Sequence, residues 1–314
     1  MSRVGRAGWG CVTLLFAIGS TCTAAPQPLP EDGVITKPGV YLMEADRSVE
    51  RHPAVTIDAD DVTLDLGGHA LRFRGDVKPE VFGVVVNGRK NVRITNGAIG
   101  GFWFNIHSTN TTNLCVDRVK FDDIVYIAIN AAKASGLVIE ECSFTNFRYD
   151  IPKTGKNTYV IAVNAGAADS LIARNTFDAQ YTTGDPAAAG IETVFVLFSA
   201  KVSQRNVVAH NRMTANATIN RSYGVWIAMA AQVSVLHNRI HNMHHGITLA
   251  TDAEAIVAHN EITVDAPPAG STKPLQTDGV AATGAKRVLM TGNRIEGPTQ
   301  PTALPSNQVP HGQG

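Results

Sequence analysis

A short pattern returns along this chain and leaves few folds open to it. It reads Ile172-Ala173-Arg174-Asn175-Thr176-Phe177, then Val208-Ala209-His210-Asn211-Arg212-Met213 and Val235-Leu236-His237-Asn238-Arg239-Ile240. It returns as Val257-Ala258-His259-Asn260-Glu261-Ile262 and as Met290-Thr291-Gly292-Asn293-Arg294-Ile295. Upstream, Cys142, Val119, Gly97 and Gly67 fill the asparagine slot. The tightest spacing between slots is 22 residues, as from Asn238 to Asn260. Longer intervals carry insertions. Each unit holds three short alternating apolar stretches, such as Gly246-Ile247-Thr248-Leu249, Ile256-Val257-Ala258 and Glu261-Ile262-Thr263. Alternation with period two, rich in Val and Ile, marks strands. Three strands per unit, repeated in line, predict a parallel β-helix. One coil cannot bury its own apolar face, so coils must stack. The asparagines then form an amide ladder at the turn between the second and third strands.

Composition agrees. The chain has 314 residues, 44% of them apolar, with 27 basic against 27 acidic side chains and zero net charge. That excludes a mainly disordered chain, a coiled coil and collagen. The balance also argues against nucleic-acid binding, which usually needs a basic excess. Arg3 and Arg6, the apolar run Val12–Ile18 and the small residues Thr23-Ala24-Ala25 have the build of a secretory signal peptide. Residues 1–24 are expected to be removed and the mature chain to be periplasmic or secreted. The run is too short to span a bilayer. Residues 25–52 are expected as a lead-in and cap, 53–297 as the β-helix, and 298–314 as a disordered Pro-rich tail. Cys115 and Cys142 remain after cleavage and are expected as buried free thiols.

Together the repeat, the segment Ile35-Thr36-Lys37-Pro38-Gly39-Val40-Tyr41-Leu42 and the segment Asn91-Val92-Arg93-Ile94-Thr95-Asn96-Gly97 carry a family resemblance. The chain resembles the bacterial right-handed parallel β-helix proteins of the pectate-lyase-like superfamily. The resemblance implies an all-β, single-stranded right-handed solenoid of about nine coils. It also implies a polysaccharide cleft bordered by the first strands and the loops before them. The insertions 73–82, 147–158, 180–190, 215–222 and 265–278 all fall at that corner. The chain departs from the superfamily's known chemistries. It has no aspartate cluster like the calcium site of pectate lyases and no Asp-Pro-His of alginate epimerases. Gln276-Thr277-Asp278-Gly279 is similar to one polygalacturonase motif, but its companions are missing.

Aligning first strands on Val84, Ile106, Ile127, Ile161, Val196, Val225, Ile247 and Val280 predicts the outward residues. These are Val85, His107, Ala128, Ala162, Leu197, Trp226, Thr248 and Ala281. Trp226 is expected on the cleft floor, where a ring suits stacking on sugars. Gly224, Gly246 and Gly279 leave room for a trough beside it, or serve as turn residues. Two residues before the inward position the row ends in Tyr223, His245 and Asp278. A carboxylate that holds an imidazole beside a phenol is a set for proton transfer. Arg221, His244, Arg148, Lys153 and Lys156 surround it and suit an acidic sugar. The expected activity is lyase or C5-epimerase chemistry on an acidic polysaccharide, with Tyr223, His245, Asp278 and Arg221 catalytic. Trp226, Arg148, Lys153, Lys156 and His244 are the expected substrate contacts, and the chain acts as a monomer. A non-catalytic carbohydrate-binding or structural envelope protein is the alternative. A third reading concerns His210, His237 and His259, which stack in consecutive coils and are candidates for a divalent metal. The sequence points to no particular cofactor and leaves a divalent metal open.

Overall fold

The computed structural model describes residues 25–148, 159–183, 192–215, 221–264 and 278–297, except the side chains of 180–183 and 221. The expected signal peptide and tail, Lys153 and Lys156 lie outside the described residues, as does most of each insertion except 73–82.

Every described strand pairs in parallel with the strand one coil away. The strands fall into three columns. The first runs from Val34–Ile35 through Phe104–Thr109 and Arg221–Ala228 to Asp278–Thr283. The second runs from Gly39–Leu42 to Arg287–Thr291, and the third from Arg47–Val49 to Arg294–Glu296. This is a parallel β-helix of nine coils from Val55 onward. Residues 34–49 add a tenth coil, paired strand for strand with the next, where a lead-in was expected. Gln27–Pro28 pairs with the top of the second column, and Leu29 is buried there.

Inward side chains form columns of matched shape. The second-strand column reads Leu64, Ile94, Val116, Ile139, Ile172, Val208, Val235, Val257 and Met290. In the third-strand column Phe121, Phe144 and Phe177 stack flat, with centroids 4.9 and 4.6 Å apart. Burying each such side chain contributes about 1.5–3 kcal/mol. At the C-terminal end the columns run out. Met290 and Ile295 are 53% and 48% exposed, although Val257 and Ile262 one coil earlier are fully buried.

The asparagine ladder sets the lateral register. In each of Asn175, Asn211, Asn238 and Asn260 the side-chain Nδ2 donates to the Oδ1 of the next ladder asparagine at 2.9–3.0 Å. That same Oδ1 accepts the backbone N–H of the preceding ladder residue. The Nδ2 also donates to a backbone carbonyl one coil back, as Asn238 does to Val208 at 2.9 Å. The residue before each ladder asparagine adopts the left-handed conformation, with φ of 57° at Arg174, 56° at His210, 54° at His237 and 55° at His259. That tight turn aims the amide into the wall.

Cys115 is half-buried and Cys142 buried, and both are free. Burial pushes both thiols up to about 12.

Replacing Asn238 by Ala removes the acceptor of two Asn211 donors inside the wall. Each unsatisfied buried donor costs about 1–3 kcal/mol. We expect chemical denaturation to show a loss of about 2–4 kcal/mol for Asn238→Ala. The exposed neighbour Arg212→Ala should change stability by less than about 0.5 kcal/mol.

Candidate functional site

The outward face of the first-strand column is the candidate site. Its geometry departs from simple alternation at one point. Phe195 and Val196 are both fully buried, and so are Gly224 and Val225. The backbone bends there, so two successive residues point inward. Residues on either side of the bend therefore share the outer face. Tyr223 and Trp226, three apart, stack with centroids 4.9 Å apart and planes 24° apart. Ile127, Ile161, Val194 and Tyr223 form a small apolar cluster of their own, flanked by Phe104, Tyr126, Tyr159, Leu197 and Trp226.

The bend also corrects two predicted alignments. Ile106 pairs with Ile129, which pairs with Val163, so Ile127 and Ile161 belong two residues earlier. Ala128 and Ala162 are buried rather than outward. The outward row is Val85, His107, Asn130, Asn164, Leu197, Trp226, Thr248 and Ala281. The row through the bend reads Phe82, Phe104, Ile127, Ile161, Val194, Tyr223, His245 and Asp278. Alternation could not separate Ile127 from Ile129, since both are apolar and two apart.

The glycines form no outer trough. A Cβ on Gly246 would lie 2.5 Å from the Gly279 carbonyl and 2.6 Å from Ile262 Cγ2. One on Gly224 or Gly279 would likewise meet Ile240 or Ile295. These glycines point inward and let the bend close on the isoleucine column.

Tyr223, His245 and Asp278 do come together. Tyr223 and His245 stack at 4.7 Å with planes 14° apart. His245 Nδ1 lies 3.5 Å from Asp278 Oδ2. Tyr223 and His245 are 7% and 9% exposed, while the Asp278 side chain is 25% exposed. The three make a graded line from a buried phenol to a carboxylate open to solvent. Arg221 stands in register with Glu192 on the neighbouring coil.

Two expected substrate contacts are placed otherwise. His244 is 2% exposed, with Nδ1 3.3 Å from Ser222 Oγ and its N–H donating to that oxygen at 3.1 Å. It supports the wall rather than lining the face. Arg148 sits with Nε 3.5 Å from Asp123 Oδ1, so its charge is already matched.

The polar part of the face was not foreseen beyond His107 and Thr248. Asn164 Nδ2 donates to Asn130 Oδ1 at 2.8 Å, and Asn130 Nδ2 meets His107 Nδ1 at 3.0 Å. An amide N–H can only donate, so His107 Nδ1 is the unprotonated nitrogen. Phe82 and Phe104 hold the ring at 5.0 and 5.2 Å. Burial accordingly pushes the imidazole below its ordinary value of 6.5. Along the same row Asn164 Oδ1, Trp226 Nε1 and Thr248 Oγ1 are buried without a hydrogen-bond partner. Buried polar atoms nearly always have one, so each such atom calls for a reason.

His210, His237 and His259 stack as expected, with centroids 5.1 Å apart and planes 2° and 10° apart. Imidazole lone pairs lie in the ring plane. Three near-parallel planes aim theirs side by side, not at one ion. No group of three or more His, Cys, Asp or Glu able to hold a metal occurs among the described residues. Nor is any described helix long and apolar enough to cross a membrane.

Comparison with known proteins agrees on the fold. The chain is similar to the tailspike protein of E. coli bacteriophage HK620, a double mutant solved in complex with pentasaccharide. The identity is 14% over 83% of this chain and 51% of that one, with a TM-score of 0.58. It thus spans about half the tailspike's length. It is also similar to the endo-xylogalacturonan hydrolase of Aspergillus tubingensis. There the identity is 8% over 82% of this chain and 85% of that one, with a TM-score of 0.50. No curated protein matches the sequence.

His107 gives the site a pH signature. Its folded value is lowered, so folding is unpenalised above about pH 6.5 and weakens as pH falls through that value. NMR should place the His107 midpoint below that of an exposed histidine. His107→Gln should remove part of the stability lost between about pH 7 and 5.5.

The model for the right-handed beta helix region matches residues 73–295, well over half of the chain, and the chain therefore belongs to that family.

Proposed function

We propose that the outer first-strand face binds a polysaccharide laid across the coils, and that Tyr223, His245 and Asp278 move protons on it. The observation that carries this reading is Trp226. Its ring is half-buried on Tyr223, and its N–H is buried without a partner in a row with Asn164 Oδ1 and Thr248 Oγ1. An aromatic face beside unmet amide, indole and hydroxyl groups suits a sugar ring and its hydroxyls. Two fold neighbours support the class of ligand. One was solved with a pentasaccharide, and the other is a xylogalacturonan hydrolase.

The chemistry we assign is proton transfer at C5 of a uronate. A neutral His245, oriented by Asp278, takes the proton, and the carboxylate of the sugar holds the developing charge. Tyr223 returns a proton. Given to the departing glycosidic oxygen, it completes an elimination and leaves an alkene. Given to the opposite face of C5, it completes an epimerisation. We assign Arg221 to neutralise the sugar carboxylate. The protein acts after export, as a monomer. The burial of His245 favours one further reading, a carbohydrate-binding β-helix without turnover.

Proton NMR of the mature protein with alginate, pectate and a neutral glucan tests this. New alkene signals from a uronate polymer identify a lyase, and altered anomeric ratios without them an epimerase. Either should fall at least about a thousandfold in His245→Ala, as expected for a general base and its positioning. Turnover that survives His245→Ala would overturn the assignment of the proton-transfer residues. Line broadening without turnover identifies a binder, and no effect from any polymer would remove the polysaccharide reading.

A further inference from the structure

The stacked histidines lie on a different edge, at the turn between the second and third strands. The backbone there does not require histidine. The same left-handed slot holds Asn96, Arg118, Glu141 and Arg174 in earlier coils and Gly292 in the next, all with φ between 52° and 61°. Three consecutive histidines therefore reflect what the side chains do. All three are exposed. Gly292 leaves space for the last ring, since a Cβ there would lie 2.5 Å from His259 Nδ1.

Arginines interleave with these rings. Arg212, Arg239 and Arg294 follow the ladder asparagines in register, and all are exposed, as is Arg174 above them. Four glutamates face these arginines, and Asp178 stands on the third-strand column in register with Thr214 and His241. Glu261 lies 3.4 Å from Arg239, and Glu296 pairs with Arg294 at 2.5 Å. Glu140 and Glu141 meet Arg174 at 2.9 and 3.6 Å, beyond the histidines. His241, two residues past Arg239, has Nδ1 3.1 Å from Thr263 Oγ1. Arg212 forms no ion pair among the described residues. Four arginines here face four glutamates, so the charge of this edge is set by the histidines.

Imidazole is the side chain that changes charge between about pH 5 and 8. Neutral rings stack well at 5.1 Å. Protonated, they place like charges in a file, and the acids nearby already face arginines. A bound anion relieves that repulsion, so protonation and anion binding must favour each other. The ridge is one side chain wide and repeats once per coil. That shape fits a linear chain of closely spaced negative groups lying along the helix axis.

We propose that the His210–His237–His259 ridge, with Arg212 and Arg239, binds a linear anionic polysaccharide, and that binding strengthens as pH falls. This site is separate from the first-strand face.

Heparin is the probe, with calorimetry on the mature protein at about pH 5.5 and about pH 8. Affinity should be on the order of tenfold higher at the lower pH and should weaken with salt. The triple variant His210→Asn, His237→Asn, His259→Asn keeps residues that tolerate the left-handed backbone. It should keep its thermal midpoint and lose the acid-side gain. Arg212→Gln with Arg239→Gln should weaken binding at both pH values, and Trp226→Ala should leave the pH-dependent part intact. A folded triple variant with an unchanged pH dependence would overturn the proposal. So would wild-type affinity that does not change with pH. Binding to phosphatidylcholine–phosphatidylserine vesicles without binding to heparin would also overturn it.

Discussion

A primary amide inside a protein wall has two donors and an acceptor with two lone pairs, and each must be met. In this chain they are met only if the neighbouring coils sit in one register. Asn211 shows the closure. Its Oδ1 takes the backbone and side-chain donors of Asn175, while its own Nδ2 serves Ile172 and Asn238. A coil slipped by one residue would leave several of these groups unpaired and turn every strand side chain to the other face. The flat Phe121–Phe144–Phe177 stack adds directional packing to the same alignment. Stacking coils thus fixes the outer surface as firmly as the core.

The candidate site inherits its order from that register. Because coils align, Tyr223, His245 and Asp278 fall into one file without any local motif to bring them together. Because the backbone bends at Gly224, Trp226 turns back onto Tyr223. The glycines at the bend act by their absence of volume against Ile240, Ile262 and Ile295. The site is therefore a by-product of wall geometry, with chemistry set by which residues occupy the outward slots. The histidine ridge follows the same logic on another edge.

Much of this was legible in the sequence. The asparagine repeat specified the parallel stack and the ladder. It also placed Tyr223, His245 and Asp278 as neighbours, because Val225, Ile247 and Val280 are unambiguous inward residues. The alignment failed where apolar residues stand two apart, as at Ile127 and Ile129. Alternation fixes the face of a strand but not its offset by two. That offset hid Asn130 and Asn164, and with them the amide chain to His107. The inward pair at the bend was hidden too, since no periodic template contains it. His244 was misplaced because a residue one step off the row looks outward until its neighbour Ser222 is seen to hold it. The metal reading failed on ring orientation, which a spacing of side chains along a ladder does not specify.

The central claim is that ligand contact on the first-strand face centres on Trp226. Among the described residues the other tryptophan is Trp103, which is 4% exposed and packs on Tyr126 at 4.8 Å. Intrinsic fluorescence can therefore separate the two. We would titrate the chain from residue 25 onward with oligosaccharides cut from the polymer that binds best, following emission in wild type and in Trp226→Phe. The account predicts a saturable shift or quench in wild type that disappears in the variant, with weaker binding by calorimetry. Calorimetric binding of equal strength in both proteins, with no emission change in wild type, would contradict it.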